Sequence, residues 1–183
     1  HIRILFEDAN CDAQGVGVDP SPARVHHLIG NDRSRWRRNQ EGHTKVVYRG
    51  VYPGIDVAYY GAGQRLEYDF VVAEGADPGQ IAMRIDGAQS VRVDTEGNLH
   101  IATAGRVLTQ RPPVAYQSNG HSRQGVEARY VLGPGQQVQI ALASYDRHDR
   151  SRPLVIDPVI EYPHIDYASY LGGSGSDVAC AVA

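Results

Sequence analysis

Every second residue from Arg65 to Val72 is apolar: Leu66, Tyr68, Phe70 and Val72 fall on one face of an extended segment, Arg65, Glu67 and Asp69 on the other. This rhythm belongs to a strand with one face buried and one face wet, because successive side chains along a strand point to opposite sides. It recurs. Val126, Ala128, Tyr130 and Leu132 repeat the period of two, Gly133-Pro134-Gly135 turns the chain, and Val138, Ile140 and Leu142 resume the pattern. That succession predicts an antiparallel hairpin. Val91 and Val93, a polar turn through Asp94-Thr95-Glu96-Gly97-Asn98, then Leu99 and Ile101 predict a second.

Further strands are expected at Ile2 to Phe6, Val25 to Ile29, Lys45 to Arg49, Asp56 to Tyr60, Ile81 to Ile85, Val107 to Gln110 and Leu154 to Ile156. The one helical candidate runs from Asn31 to Asn39, with Asp32 as its cap and Trp36 as its anchor. Twenty Gly, ten Pro and eleven Tyr against two Phe fit many short elements broken by turns. The expected fold is therefore all-β, an antiparallel β-sandwich or distorted barrel, since no amphipathic helix separates the strands as a βαβ fold requires. With 183 residues, 42% of them apolar, the chain supports one sizeable core.

Charge narrows the partners. Eighteen basic against 21 acidic residues leave a net charge of -3, which gives no overall pull toward nucleic acid or an anionic membrane. Arg33, Arg35, Arg37 and Arg38 form the densest basic cluster. A solvated face whose charges pair with nearby carboxylates is the preferred reading over polyanion binding. No stretch reaches the ~18 to 20 apolar residues of a membrane-spanning helix. The chain begins at His1 with no charged and apolar leader, so any signal peptide is expected upstream or already removed. Cys11 and Cys180 are too few for a disulfide framework, and buried or free thiols are preferred to a mutual bridge, a choice left open.

Motifs of catalysis and cofactor binding fail on inspection. Gly61-Ala62-Gly63 lacks the third glycine and the helix of a dinucleotide site, and Gly172-Gly173-Ser174-Gly175-Ser176 ends in Ser where a nucleophile elbow needs Gly. His26 and His27 are adjacent, and adjacent strand residues cannot share one ion. Asp94, Glu96 and Asn98 have the rhythm of a calcium loop without its final bidentate Glu, so a hairpin turn is the expected role.

Glu67 and Asp69 share a strand face about 7 Å apart by strand rise, a separation that glycoside hydrolysis permits. Surface pairing with Arg65 on the same face is preferred to catalysis. Tyr59-Tyr60, or Tyr48 with Tyr52, would make a sugar-stacking platform if exposed, although Tyr packs cores as readily.

A longer succession of segments carries more information than any of these. Ile29-Gly30-Asn31-Asp32 with Trp36, Tyr48-Arg49-Gly50-Val51-Tyr52-Pro53-Gly54-Ile55-Asp56 with Tyr59-Tyr60-Gly61, and Leu66 to Val72 come first. Gly75-Ala76-Asp77-Pro78 with Ile81, Arg111-Pro112-Pro113-Val114-Ala115-Tyr116-Gln117, Tyr145-Asp146-Arg147 and Pro153-Leu154-Val155-Ile156-Asp157-Pro158 follow. Together, from about residue 25 onward, they resemble an uncharacterised β-rich domain of secreted bacterial proteins that typically precedes SBBP-type β-propeller repeats. Tyr170-Leu171-Gly172-Gly173-Ser174-Gly175-Ser176-Asp177 resembles the opening of the first repeat.

The resemblance implies export or a cell-surface location and a propeller downstream in the same polypeptide. It transfers no catalytic residue. The expected organisation is a β-sandwich-like domain over residues 1–163 and, over 164–183, the start of a propeller blade whose strands lack a partner within this chain. No catalytic residue, cofactor-binding residue, cofactor or metal ligand is assigned, and the ligand-binding residues stay open. Three functions are carried forward in order: a non-catalytic structural or interaction module, a glycan-binding module, and a hydrolase in which Glu67, Asp69 or Asp56 would have to converge in a pocket. Nucleic acid and a membrane span are not among the expected partners; a surface protein or a glycan is.

Overall fold

In a computed structural model the described residues are 2–62, 65–118, 122–143, 150–161 and 181–182. Strand accounts for 61% and helix for 6% of the structure. The strands are β1 (Arg3–Phe6), β2 (Gly15–His27), β3 (Arg37–Tyr52), β4 (Ile55–Ala62), β5 (Arg65–Val72), β6 (Ala82–Asp86), β7 (Ser90–Val93) and β8 (Leu99–Ala102). They continue as β9 (Val107–Gln110), β10 (Val114–Ser118), β11 (Arg123–Val126), β12 (Ala128–Leu132), β13 (Gln137–Leu142), β14 (Leu154–Asp157), β15 (Ile160–Glu161) and β16 (Ala181–Val182).

Among the described residues all pairings are antiparallel and build three sheets, ordered β12-β13-β6-β1-β16, β11-β10-β14-β5-β4-β3-β2 and β15-β9-β8-β7. The sheets do not close into a barrel, and the arrangement is that of a sandwich. Both predicted hairpins form, with Tyr130 opposite Ile140 and Val91 opposite Ile101.

The alternation of β5 organises the core. Its inner residues Tyr68, Phe70 and Val72 are buried, and Phe70 meets Phe6 of β1 edge-on at 5.4 Å between ring centroids. The Tyr68 hydroxyl contacts Met83 Sδ of β6 at 3.5 Å, and the Tyr52 hydroxyl donates to the Ala82 carbonyl at 3.0 Å. These contacts join the seven-stranded sheet to the five-stranded one. Tyr48 and Tyr59 extend the aromatic layer, meeting edge-on at 5.8 Å. The turn from β3 to β4 is Pro53-Gly54, where Gly54 has φ +73° and a Cβ would lie 2.7 Å from the Ala76 methyl. Proline followed by a left-handed residue is the type II pattern, and here only glycine satisfies both backbone and space.

Several expectations need correction. The helix predicted from Asn31 to Asn39 is a single 3-10 turn, Arg33–Arg35, capped by Asp32 as foreseen, because cross-strand pairing draws residues from 37 onward into β3. The strand expected from Val25 to Ile29 is instead the end of the longer β2, which leaves Leu28 and Ile29 beyond it. Val126 and Ala128 do not share a strand: the chain passes from the seven-stranded sheet to the five-stranded sheet at Glu127, forming a corner of the sandwich.

Ala181 and Val182 pair with Leu5 and Ile4, so these two residues have a partner within the chain. The remainder of the expected blade segment, 164–180 and 183, lies outside the described residues. Cys11 is disulfide-bonded, contrary to the preferred thiol. The chain's other cysteine, Cys180, lies outside the described residues.

Phe70 fills the junction of the two larger sheets, so Phe70→Ala is expected to cost about 3–5 kcal/mol through lost burial and the cavity left behind. Urea unfolding of the variant and the parent would measure it. A loss below about 1 kcal/mol would mean that the layers are not held there.

Candidate functional site

The face of the seven-stranded sheet turned away from the core is where polar residues gather. On β5, Glu67 and Asp69 point outward because Tyr68 and Phe70 point inward. On β14, Leu154 and Ile156 are buried, which sends Val155 and Asp157 outward. The two strands pair with Ile156 opposite Phe70, so one further step in the same register sets Asp157 opposite Asp69. Two carboxyl groups thus stand on neighbouring strands, with Cβ atoms roughly 5 Å apart for directly opposed positions. Like charges so placed repel, an arrangement that costs stability unless a proton or a ligand relieves it.

Around this pair the sheet forms a cleft of about 500 Å³ lined by Lys45, Tyr60, Asp69, Tyr116, Arg123 and Asp157, with Val114, Ala115 and Gly125 completing it. Tyr60 donates its hydroxyl to Asp69 Oδ1 at 2.9 Å. Lys45, the only lysine of the chain, lies 5.1 Å from the Tyr60 ring centroid, and the Arg123 guanidinium lies 4.5 Å from that of Tyr116. Each side of the cleft therefore carries a cation over a tyrosine ring.

Burial pushes Asp157 up to about 6, with the charges of Asp69 and Glu67 adding to the effect. Asp157 Oδ1 is buried and has no hydrogen-bond partner among the described residues. Asp69 is also raised, by burial first, against the lowering influence of the Tyr60 hydroxyl and of Lys45. The Tyr60 hydroxyl is held protonated by burial and by its bond to Asp69. The site combines a readily protonated carboxyl, a second carboxylate already bonded to a phenol, and two flanking cations.

The sequence-predicted residues separate. Asp69 lines the cleft, and Glu67 stands on the same strand face, opposite Tyr60, close enough to raise Asp157. Asp56 does not converge with them: it accepts the Gly50 N–H at 2.8 Å and pairs with Arg49 at 3.8 Å. The Arg65 side chain lies outside the described part, so its pairing with Glu67 and Asp69 does too. Of the tyrosines considered as a stacking platform only Tyr60 faces the cleft. Tyr48 and Tyr59 stack in the core and Tyr52 is buried, because neighbouring residues on a strand cannot share a face.

Four polar residues of the cleft were missed: Lys45, Tyr116, Arg123 and Asp157. Tyr116 lies between buried Ala115 and Gln117, and Asp157 continues the alternation of Leu154 to Ile156 by one place. Extending the period-two pattern through each segment would have put Tyr116 and Asp157 on the wet face.

The Asp94 turn has the structural role expected of it. Asp94 Oδ1 accepts the N–H groups of Glu96 and Asn98, each at 2.9 Å, and Oδ2 receives the Asn98 amide at 3.0 Å and lies 2.7 Å from His100 Nε2. His100, first in effect, and Asn98 hold the Asp94 carboxyl below the usual carboxylate range. Its oxygens are committed within the hairpin. Among the described residues no group of three His, Cys, Asp or Glu converges as metal ligands, and no helix is long and apolar enough to cross a membrane.

Residues 1–159 match the family described as Domain of unknown function (DUF7948). The chain belongs to that family. No curated protein and no solved structure matches it. The DUF7948 match contains every strand of the seven-stranded sheet and every residue of the cleft.

Because its folded-state value lies above the ordinary 3.8, Asp157 destabilises the fold as it ionises, and stability falls as pH rises from about 4 through about 6. Undiminished, the difference would carry about 3 kcal/mol; solvent around this partly exposed group reduces it to about 1–2 kcal/mol. Asp157→Asn is therefore expected to stabilise the protein by about that amount near neutral pH and hardly at all below about pH 4, where the parent carboxyl is protonated in both states. Denaturant unfolding at the two pH values checks it. An equal gain at both would show that charge is not the cause.

Proposed function

We propose that this DUF7948 domain is a non-catalytic binding module of a secreted or cell-surface protein, standing ahead of a β-propeller in the same polypeptide, and that the cleft holds a glycan. The observation that carries the reading is the gathering of Tyr60, Tyr116, Lys45, Arg123, Asp69 and Asp157 around one open cavity of about 500 Å³. Neutral sugars are recognised by planar polar groups that bond to neighbouring hydroxyls and by aromatic surface that accepts their apolar faces. This lining supplies both. Its two cations are offset by the acidic residues, which disfavours a strongly charged ligand such as a phosphate.

The unpartnered Oδ1 of Asp157 is an acceptor that a ligand hydroxyl would satisfy. Export is supported by the disulfide at Cys11, since such bonds persist mainly in oxidising compartments. The propeller rests on the sequence resemblance of the segment from Tyr170 to Asp177.

A second reading has a specific observation in its favour. A carboxyl raised to about 6 beside another carboxylate is the pairing that glycoside hydrolysis uses, the first as general acid. Binding is preferred because the cleft is open and its rim residues Val114, Arg123 and Gly125 are exposed, leaving the pair poorly shielded from water.

A glycan array on the full chain should give a restricted set of neutral oligosaccharides, and Tyr116→Ala should weaken binding by tenfold or more with an unchanged thermal melt. No glycan bound above background would contradict the proposal. Turnover of a bound oligosaccharide that Asp157→Asn abolishes, with binding retained, would replace it with the hydrolase reading.

A further inference from the structure

The long hairpin of β2 and β3 leaves the body of the domain. β3 pairs with β4 from Lys45 onward, but from Arg37 to Thr44 it pairs with β2 alone. Eight residues at about 3.3 Å each make a two-stranded ribbon that projects roughly 26 Å. Such a ribbon adds little stability by itself.

Its apex is unusual in composition. Leu28 is 51% and Ile29 80% exposed, the latter the most exposed large apolar residue among those described. Trp36, the chain's single tryptophan, closes the apex by donating its indole N–H to the Gly30 carbonyl at 3.0 Å.

The arginines beside them do not pair as expected. Among the described residues Arg24 meets Glu41 at 3.6 Å, whereas Arg33, Arg35, Arg37 and Arg38 have no carboxylate partner. Arg33 and Arg38 instead lie 5.4 and 5.0 Å from the Trp36 ring centroid. Between Arg24 and His43 there are five arginines against Asp32 and Glu41, a local charge of +3 in a chain whose total is -3. The overall charge hides this polarity.

A convex apex with two bare aliphatic side chains, a tryptophan and a collar of unpaired guanidinium groups is complementary to a surface that is anionic outside and apolar just beneath. We propose that the apex of the β2–β3 ribbon docks onto an anionic lipid bilayer. Leu28 and Ile29 enter the acyl boundary, Trp36 sits at headgroup level, and Arg33, Arg35 and Arg38 bind lipid phosphates. A nucleic acid would satisfy the arginines and leave the aliphatic pair in water. The acidic cleft of a second copy would do the same. The bilayer alone accounts for both features, and this inference is independent of the glycan site.

The full chain is mixed with vesicles of phosphatidylcholine alone and of phosphatidylcholine with phosphatidylglycerol, and binding is read by co-sedimentation and Trp36 emission. Binding to the anionic vesicles with a blue shift is expected, and none to the neutral ones. The triple variant R33Q/R35Q/R38Q should weaken partitioning by about a hundredfold, at about fivefold per arginine. The double variant L28S/I29S should weaken it tenfold or more and abolish the blue shift. Both variants should keep the parent's thermal melt, since the residues stand away from the core. No binding to anionic vesicles overturns the proposal. So does binding that L28S/I29S leaves intact, which would mean charge adsorption open to any polyanion, and so does apex-dependent self-association without vesicles, which would make a second copy the partner.

Discussion

The contact of Phe6 with Phe70, supported by Tyr68 against Met83, is the point on which the two larger sheets depend. These side chains come from β1, β5 and β6, the strands that face each other across the two sheets. Burial of large aromatic area, with edge-on rings, outweighs the cost of ordering many short strands linked by turns. The Tyr52 bond to the Ala82 carbonyl then satisfies a polar tip that would otherwise be stranded between the layers.

Fixing the inner face of β5 fixes its outer face as well. Once Tyr68 and Phe70 are committed to the core, Glu67 and Asp69 have no choice but the opposite side, and the register with β14 brings Asp157 to Asp69. The repulsion within the cleft is thus a consequence of packing energy spent elsewhere. A core that stabilises the fold by far more than the few kcal/mol at stake can hold two carboxyls together, and such placements mark functional sites more often than chance would. The ribbon apex presents the opposite case: it is tied to the core by nothing but its own strand pairing, so its residues are free of packing duties.

Much of this was legible in the residues. The period-two pattern is enough for β5, for the hairpins through Gly133-Pro134-Gly135 and Asp94 to Asn98, and for the all-β class. What it leaves out is long-range. Nothing local to Asp157 says that its strand lies beside β5, and nothing local to Glu127 says that the chain changes sheets there, because Val126 and Ala128 keep the same alternation on either side. The arginine cluster could be seen but not its lack of partners, since pairing depends on which carboxylates the fold brings within reach. Tyr59-Tyr60 is different: parity alone excludes a shared face once the segment is read as a strand, and the structure separates the two accordingly.

The packing of β5 and β14 forces Asp69 and Asp157 into one partly desolvated cleft. Carboxyl carbon chemical shifts, followed by NMR as the pH is varied, test it most directly. The account predicts that Asp157 titrates with a midpoint near pH 6 and that Asp69→Asn lowers it. An Asp157 midpoint close to the ordinary 3.8, indifferent to that substitution, would contradict it.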